Sequence, residues 1–319
     1  MRLQAGWDRQ SDDPRKLVPI SLADTSIQIE VMMYRGEASE RAPLVIINSI
    51  EFPIPPSIEF CEKMWASGYQ VIFCRRPGFG PLPGLPASLM SRREVKNRAA
   101  IAAESALFRL LIQTLELKNV TLLGLGTGNS ICYRLAQLSP EISYTIYANP
   151  LFHPDIWDVI RPTWLMRMIR QTLLSQSGLK IAVRGLKAVL RRDPIWFYRQ
   201  FGQKSKGDLA YLANHENDFK RAGVALQRLS PETFFYDLQT ALIEDTKWDP
   251  EVTARSDAMI LAGVETTPRF KKSIAREAER LKLPIKFAKS GDLFVPYASP
   301  DTLLEILNAH AKRATKQAV

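Results

Sequence analysis

The sequence predicts an α/β fold, in which a mostly parallel sheet is flanked by helices and interrupted by an inserted helical segment. Strand-length apolar runs alternate with helical patterns from residue 17 to 123 and again after residue 257, as in successive strand–helix units. Between them, residues 151–250 lack a strand pattern and are rich in Trp, Arg and Leu. We therefore expect a core of residues 1–150 and 251–319, and a helical cap of residues 151–250.

Each expected element rests on its local pattern of apolar residues. Strands are expected where short apolar and β-branched runs occur, and helices where apolar positions recur three and four residues apart. The expected strands are residues 17–22, 26–33, 44–47, 69–74, 120–123, 143–148, 258–262 and 285–288. The expected core helices are residues 57–66, 98–115, 129–138, 269–281 and 300–312. Within the cap, helix breaks are expected at Gly178, Pro194 and Pro231.

The composition is that of an ordinary globular protein, with 46% apolar and 24% charged residues. No apolar run approaches the roughly 20 residues of a membrane-spanning helix, and the first residues lack the apolar stretch of a secretory signal. We therefore expect a cytoplasmic protein. Cys61, Cys74 and Cys132 are odd in number and lack the paired spacing of a metal site, so we expect buried thiols and no bound metal.

The chain carries a net charge of +10, which favours anionic surroundings. Much of this surplus is local, since residues 151–240 hold 14 Lys and Arg against 8 Asp and Glu. No helix-turn-helix, zinc site or aromatic–basic sheet motif accompanies the charge, so the sequence does not favour nucleic acid as a partner.

The most informative segment is a glycine-rich turn between an apolar strand and a helix, where Gly124, Gly126 and Gly128 are spaced by two. A dinucleotide loop is disfavoured, because Asn129 stands where G-x-G-x-x-G needs glycine and because several strand–helix units precede the turn. The spacing matches instead the G-x-S-x-G nucleophile elbow. In this elbow Gly126 replaces the attacking serine.

Because of this turn and two further landmarks, the chain resembles the α/β-hydrolase superfamily over residues 15–315. After the third strand, Asn48, Ser49 and Ile50 stand where that family often has a His-Gly pair. After the fourth strand, residues 75–80 (Arg-Arg-Pro-Gly-Phe-Gly) are similar to the family's Arg-Gly-x-Gly turn. The resemblance implies an α/β-hydrolase fold with an inserted helical cap.

The resemblance also locates the positions of the catalytic triad. Thr266 stands where the family's acid would follow the seventh strand, with Glu265 beside it, and Asp292 stands where the histidine would follow the eighth. Because a triad needs nucleophile, base and orienting group together, Gly126, Thr266 and Asp292 imply a member without catalytic residues. Several hormone receptors and the N-myc downstream-regulated family are similar precedents.

Relocated catalytic groups are disfavoured by position. Ser130 and Cys132 lie about 6 to 9 Å further along the helix that follows the turn. We expect His215 and His310 on the surface as solvated side chains. His153, where the sixth strand enters the cap, is the histidine that would face a pocket.

In this interpretation the ligand pocket of the fold is retained, although the triad is absent. The resemblance implies that the backbone N–H groups of Ile50 and Thr127 would hold an anion or a carbonyl oxygen without reaction. The candidate pocket residues are Asn48, Ser49, Ile50, Thr127, His153 and Asp292. The alternative left open is that core side chains fill this space.

One cap segment predicts an amphipathic helix with a basic edge. Apolar residues at positions 179, 183, 186 and 190 recur at steps of four, three and four. The residues that follow each of them form the basic cap surface, Lys180, Arg184, Lys187 and Arg191. Such a helix would pack its apolar stripe on the core, lie on an anionic membrane or receive an acidic protein partner.

The sequence therefore predicts a hydrolase-like protein that binds a small ligand or a protein partner, uses no cofactor and does not hydrolyse. One alternative is an enzyme of the same fold in which Asp292 acts as a base on water or on the substrate's own proton. The other is an interaction protein that acts through its basic cap surface.

Overall fold

The computed structural model describes residues 14–22, 25–36, 41–49, 52–90, 99–150, 175–202, 204–242 and 257–317. A central eight-stranded sheet organises these residues. Its strands are β1 (Val18–Ser21), β2 (Gln28–Met33), β3 (Leu44–Ile47), β4 (Val71–Arg75), β5 (Val120–Leu125), β6 (Ile142–Ala148), β7 (Ala258–Gly263) and β8 (Ile285–Ala288). The predicted α/β class is confirmed.

The strands are arranged in the order β1-β2-β4-β3-β5-β6-β7-β8. Strand β2 pairs antiparallel with β1 and β4, and all later pairings are parallel. The central strands β3, β4 and β5 are buried at every residue, as expected for parallel strands covered by helices on both faces. The carboxyl ends of β5, β6, β7 and β8 therefore meet at one edge, where the elbow and the triad positions lie.

Helices connect successive strands from β3 onward, and further helices follow β8. They are α1 (Ile58–Ala66), α2 (Ala99–Thr114), α3 (Gly128–Leu138), α4 (Gln176–Arg192), α5 (Pro194–Gly202), α6 (Lys206–Asn214), α7 (Glu216–Leu226), α8 (Pro231–Leu242), α9 (Pro268–Leu281), α10 (Val295–Ala298) and α11 (Pro300–Gln317). The core separates into two apolar clusters. Val45 and Ile47 of β3 belong to the cluster under α2, α3 and α9, whereas Leu44 and Ile46 belong to the cluster under α1 and α11. The alternation along β3 places the clusters on opposite faces of the sheet.

The described residues between β6 and β7 form the helices α4 to α8, in the region where the sequence predicts the cap. Pro194 and Pro231 begin α5 and α8, where their missing N–H groups cost no helical hydrogen bond. The expected break at Gly178 is wrong, because Ser175 caps α4 and its hydroxyl accepts from the Gly178 amide at 3.0 Å. Residues 151–174 and 243–256 lie outside the described residues, so the cap boundaries stay a prediction.

Aromatic rings join the cap to the core. Phe219 of α7 lies 4.9 Å from Phe52 and 5.0 Å from Phe294 between ring centroids, and Tyr211 of α6 packs against Phe294 and Tyr297. Edge-to-face and tilted pairs of this kind contribute beyond their burial. The cap is therefore packed on the core through this cluster.

The amphipathic helix α4 buries its predicted stripe. Leu179, Val183 and Leu190 are at most 2% exposed, because positions three and four apart share one face, and Leu186 of the same stripe is half-buried. Of the basic cap surface, Lys180, Arg184 and Arg191 are exposed and Lys187 is half-buried. The exposed face of α4 also carries Ile181, which is 67% exposed. Within the described residues, none of the helices combines the length and the apolar character needed to span a membrane.

The histidine prediction is wrong for both described histidines. Nδ1 of His215 lies 2.8 Å from the carbonyl of Tyr211, and the side chain is 17% exposed. His310 stacks on Tyr144 at 3.9 Å between centroids, and burial lowers the pKa of its imidazole. His153 lies outside the described residues. All three cysteines are buried and free, as expected.

Candidate functional site

The turn after β5 has the shape of a nucleophile elbow. Strand β5 extends two residues beyond the predicted end, to Leu125, and α3 begins at Gly128. Between them Gly126 has a φ of +47°, in the left-handed region that glycine enters without steric cost. The chain thus reverses from strand to helix within two residues, and Gly126 occupies the tip.

The flanking glycines are required by close packing. A Cβ on Gly124 would lie 2.7 Å from Oδ1 of Asn129 and 3.0 Å from Sγ of Cys132. A Cβ on Gly128 would lie 2.7 Å from the carbonyl oxygen of Asn48. Strand β5, helix α3 and the end of β3 therefore approach more closely than any side chain would allow.

The acid and histidine positions lie in direct contact. The Thr266 hydroxyl donates to Oδ1 of Asp292 at 2.7 Å, and the Asn149 amide donates to the same oxygen at 2.9 Å. Asn149, at the end of β6, also accepts from the Gly263 amide at 2.8 Å. The structure thus brings Thr266 and Asp292 together as the sequence placed them, and adds Asn149, which the sequence did not single out.

The environment of Asp292 shifts the pKa of its carboxyl group upward. Burial raises the pKa of the carboxyl group, the hydrogen bond from Thr266 lowers it, the charge of Glu265 raises it, and the net shift is upward. A hydroxyl and an amide stabilise the carboxylate without neutralising it. Asp292 is therefore a partly desolvated acid where the hydrolase fold has its histidine.

Two carboxylates connect helix α6 of the cap to the loops after β7 and β8, which carry Thr266 and Asp292. Glu265 accepts from the Ser205 hydroxyl at 2.6 Å and from the backbone amides of Gly207 and Gly291 at 2.8 and 3.1 Å. Asp208 accepts from the backbone amides of residues 292–294 at 2.7 to 3.2 Å. Glu265 thus serves as a bridge between core and cap, and the segment carrying Asp292 is fixed from the cap side.

A buried ionic cluster lies beside the elbow. The Arg76 guanidinium donates two bonds to Glu104, at 2.7 and 3.2 Å, and one each to Asp237 and the Thr127 hydroxyl. The Thr127 hydroxyl donates to Oδ1 of Asp237 at 2.5 Å. The charged side chains are at most 3% exposed, and Oδ2 of Asp237 has no hydrogen-bond partner among the described residues.

The charges in this cluster depend on one another. Burial alone would lower the pKa of Arg76, but the charges of Glu104 and Asp237 outweigh it and raise that pKa. Burial raises the pKa of Glu104, against the opposing effect of Arg76. Two carboxylates share one guanidinium, so the cluster carries an excess of negative charge when both are ionised.

Sequence reasoning missed this cluster, although part of it left a signal. Arg76 lies in the Arg-Gly-like turn that supported the family resemblance. Glu104 stands on the apolar side of α2, three residues after Ile101 and four before Phe108, and a charge on a buried face implies a partner. Asp237 lies in a cap helix more than 100 residues away from Thr127, and no local pattern indicates the pairing.

The alternative nucleophiles are unsuited to attack. Ser130 and Cys132 are 1% and 0% exposed. Burial raises the pKa of the Cys132 thiol, which disfavours the reactive thiolate. Both side chains are buried, which disfavours attack on a substrate.

The candidate pocket residues have different surroundings. Oδ1 of Asn48 accepts from the Arg76 amide at 2.8 Å, and its amide donates to the Ser49 carbonyl at 2.8 Å. The Asn48 side chain therefore holds two loops together. Thr127 starts α3 without a side-chain cap. Ile50 and His153 lie outside the described residues, so their pocket roles stay predictions.

The described residues also bear on metal binding. Within the ranges given for the structure, no group of three or more His, Cys, Asp and Glu is arranged to hold a metal ion. The carboxylates nearest the elbow are engaged with Arg76 or with backbone amides.

The strand order, the elbow and the inserted helices define an α/β-hydrolase fold. Known structures are similar to the chain over nearly its whole length. An epoxide hydrolase from Vigna radiata superposes with a TM-score of 0.65 at 11% identity, over 95% of this chain and 99% of that one. An esterase from Exiguobacterium antarcticum gives 0.59 at 16% identity, over 92% and 98%. A bromoperoxidase from Bacillus anthracis gives 0.59 at 16% identity, over 93% and 100%.

At these identities the likeness concerns the fold. No model of a protein family matches the sequence, and no curated protein matches it. The chemistry of the chain therefore depends on its own side chains at the elbow and at the triad positions.

Proposed function

We propose that this chain is a hydrolase-fold protein that binds a small ligand at its elbow and does not hydrolyse it. The observation that carries the proposal is the pairing of Asp292 with Thr266 and Asn149, at 2.7 and 2.9 Å. A working triad has an imidazole and an orienting acid at these two positions, and a serine that gives up its proton. Here a carboxyl group faces a hydroxyl, and Gly126 has no proton to give.

The geometry of the elbow supports a ligand with a carbonyl oxygen. Helix α3 begins at the elbow, and no side chain in the described part of the chain caps its first turn. The amino end of a helix attracts an oxygen with partial negative charge. The neighbouring cluster contains two acids, Glu104 and Asp237, and one base, Arg76. This excess of acids disfavours a ligand that carries a full negative charge. An ester, amide or ketone oxygen suits this site better than a carboxylate.

A paired measurement tests the proposal. Purified protein is mixed with p-nitrophenyl butyrate, binding is followed by saturation-transfer NMR, and hydrolysis by release of p-nitrophenolate. We expect saturable binding with release at the rate of buffer alone. Gly126→Met, which fills the elbow, should abolish binding. Gly185→Met should leave binding unchanged, since nothing lies within 4 Å of a Cβ at that exposed helical position.

One observation favours a second candidate, an enzyme in which Asp292 is the base. Burial raises the pKa of this carboxyl group, as it does for many catalytic acids and bases. This candidate predicts release of p-nitrophenolate that Asp292→Asn abolishes and Ser130→Ala leaves intact. Such a result would replace the binding proposal.

The exposed face of α4 favours a third candidate, an interaction protein that uses its basic cap surface. Exposed Ile181 and the exposed basic residues Lys180, Arg184 and Arg191 are on the same helix, which suits an acidic protein partner or an anionic membrane. Absence of ligand binding at the elbow, together with loss of anionic-vesicle binding on changing the three basic residues to Gln, would support this candidate over the first.

A further inference from the structure

A cavity lies away from the elbow, between the cap helix α7 and the loops that follow β3 and β4. Its volume is about 380 Å³, within the roughly 300 to 1,000 Å³ of small-molecule sites. Among the described residues, four basic side chains and no acidic one line it: Arg75, Lys220, Arg221 and Arg228. None of these residues takes part in the elbow or in the triad positions.

The spacing on α7 explains one wall of this basic groove. Lys220, Arg221 and Val224 lie within four residues of one another on α7 and share one helical face that lines the cavity. Arg228 follows two residues after the helix ends and also lines the cavity. Val224 is 57% exposed and adds an apolar contact among the charges. The opposite wall contains Ile54 and prolines from the core loops.

The floor of the groove is an ion pair held in place by a glycine. Nη1 of Arg75 donates to Oε2 of Glu30 at 2.8 Å, and both side chains are at most 10% exposed. A Cβ on Gly80 would lie 2.2 Å from that carboxylate oxygen and 2.6 Å from Nη1. The loop after β4 therefore needs glycine here for the pair to lie directly beneath the groove.

Two of the basic side chains of the groove wall have carboxylate neighbours. Lys220 lies 3.9 Å from Glu216. Arg221 lies 3.8 Å from Asp218, which itself pairs with Arg15 at 2.8 Å.

The remaining wall cation has no such partner. In the part of the chain that the structure describes, the Arg228 side chain has no ion pair or hydrogen bond. Burial lowers the pKa of Arg75, Glu30 opposes this effect, and the charges of Arg228 and Arg221 lower it further. The basic groups thus lie close enough to repel one another.

We propose that this basic groove binds a phosphate monoester that carries a short apolar chain. Three acceptor oxygens and about two negative charges on one group suit several converging cations, and guanidinium forks bind phosphate oxygens in pairs. The phosphate lies against Arg221, Arg228 and Lys220, and the apolar chain lies along Val224. The same chemistry is found in a soluble phosphate ester and in a phospholipid head group.

The test is isothermal titration calorimetry of the full chain with hexyl phosphate. We expect saturable binding that the double variant Lys220→Gln/Arg228→Gln weakens at least tenfold. The matched control is Arg269→Gln/Lys272→Gln, which removes the same two residue types from exposed positions on α9. It should bind within twofold of the wild type. Absence of binding, or equal weakening in both double variants, would overturn the proposal.

Two further arms distinguish the sources of the phosphate. Inorganic phosphate should bind more weakly than hexyl phosphate, because it lacks the chain that contacts Val224. Vesicles of phosphatidylcholine containing phosphatidic acid are then compared with pure phosphatidylcholine vesicles. Binding to the former that is lost in Lys220→Gln/Arg228→Gln assigns a lipid head group, whereas binding of hexyl phosphate alone assigns a soluble ester. Equal affinity for inorganic and hexyl phosphate would contradict the apolar part of the proposal.

Discussion

Single residues at the elbow are glycine for two different reasons. Gly126 has a positive φ of 47°, whereas Gly124 and Gly128 lie where the backbone and side chains of neighbouring elements leave no room for a Cβ. Only the first position bears on chemistry, because the fold uses it to present a nucleophile. The other two preserve the shape of the turn whether or not a nucleophile is present.

This difference makes Gly128→Ala a test of the packing. The new Cβ would meet carbonyl oxygens of Ile47 and Asn48 at 2.8 and 2.7 Å, so we expect the free energy of unfolding to fall by about 1 to 3 kcal/mol. Urea unfolding measures the change. The control Gly185→Ala meets no neighbour and should instead stabilise α4 by up to about 1 kcal/mol. Equal effects at both positions would contradict the close packing.

The buried ionic cluster predicts a second large effect. Arg76→Met leaves Glu104 and Asp237 buried without a cation, and such losses cost about 3 to 5 kcal/mol. Lys63→Met breaks an exposed pair with Asp301 and should cost at most about 1 kcal/mol. Urea unfolding at neutral pH compares the two variants. A small effect of Arg76→Met would mean that the cluster is solvated or that another cation replaces Arg76.

The sequence predicted some residues of the site and not others. Gly126, Thr266 and Asp292 were located because each follows a recognisable strand in the expected order. Asn149 and Asp237 were missed because their partners are more than 100 residues away in sequence. Tertiary packing alone brings such residues together, and a single sequence carries no local signal of it.

At the scale of elements, hydrogen bonds join the cap helix α6 to the loop after β8, and we call this contact the clasp. Asp208, which is 1% exposed, accepts backbone amides of residues 292–294, and Glu265 accepts from the Gly207 amide in return. Burial raises the pKa of Asp208 to about 6 despite these hydrogen bonds. The clasp therefore depends on pH.

The sign of this dependence follows from the two states of the chain. Folded protein keeps a proton on Asp208 up to about pH 6, whereas the unfolded chain releases it near 3.8. The folded state thus binds more protons in between, so the stability from Asp208 is complete below pH 3.8 and is lost as the pH rises through 6. We expect wild type to lose about 3 kcal/mol over this range relative to Asp208→Asn.

Urea unfolding of both proteins from pH 4 to 7 measures this difference. Glu279→Gln, at an exposed position of α9, is the control and should follow the wild type across the range. A constant offset between wild type and Asp208→Asn would show that Asp208 acts only through its hydrogen bonds and would contradict the titration.

The predicted end of β5 and the predicted helix break at Gly178 differ from the structure for local reasons. Strand β5 extends to Leu125 because it pairs with β6 through Ala148, a contact that the apolar run at 120–123 does not reveal. Gly178 lies inside α4 because Ser175 supplies the N-cap. A glycine in the first turn of a helix can be mistaken for a break when the cap is overlooked.

At the scale of the whole molecule, the chain keeps the hydrolase scaffold. The sheet order places the carboxyl ends of β5, β6, β7 and β8 at one edge, so the elbow, Asn149, Thr266 and Asp292 meet there. Alternating strands and helices with a helical insertion were sufficient to predict this scaffold from sequence. The ionic cluster and the basic groove depend on how the cap helices pack against the core. The periodicity of apolar residues does not specify this packing.

The most direct test of the central claim is covalent labelling by a fluorophosphonate, followed by intact-protein mass spectrometry. The phosphonate reacts with an activated serine and reports a working nucleophile even when no substrate is known. We predict that the mass of the purified chain stays unchanged, because Gly126 has no side chain and Ser130 is buried. A stoichiometric adduct that disappears in Ser130→Ala would contradict this account.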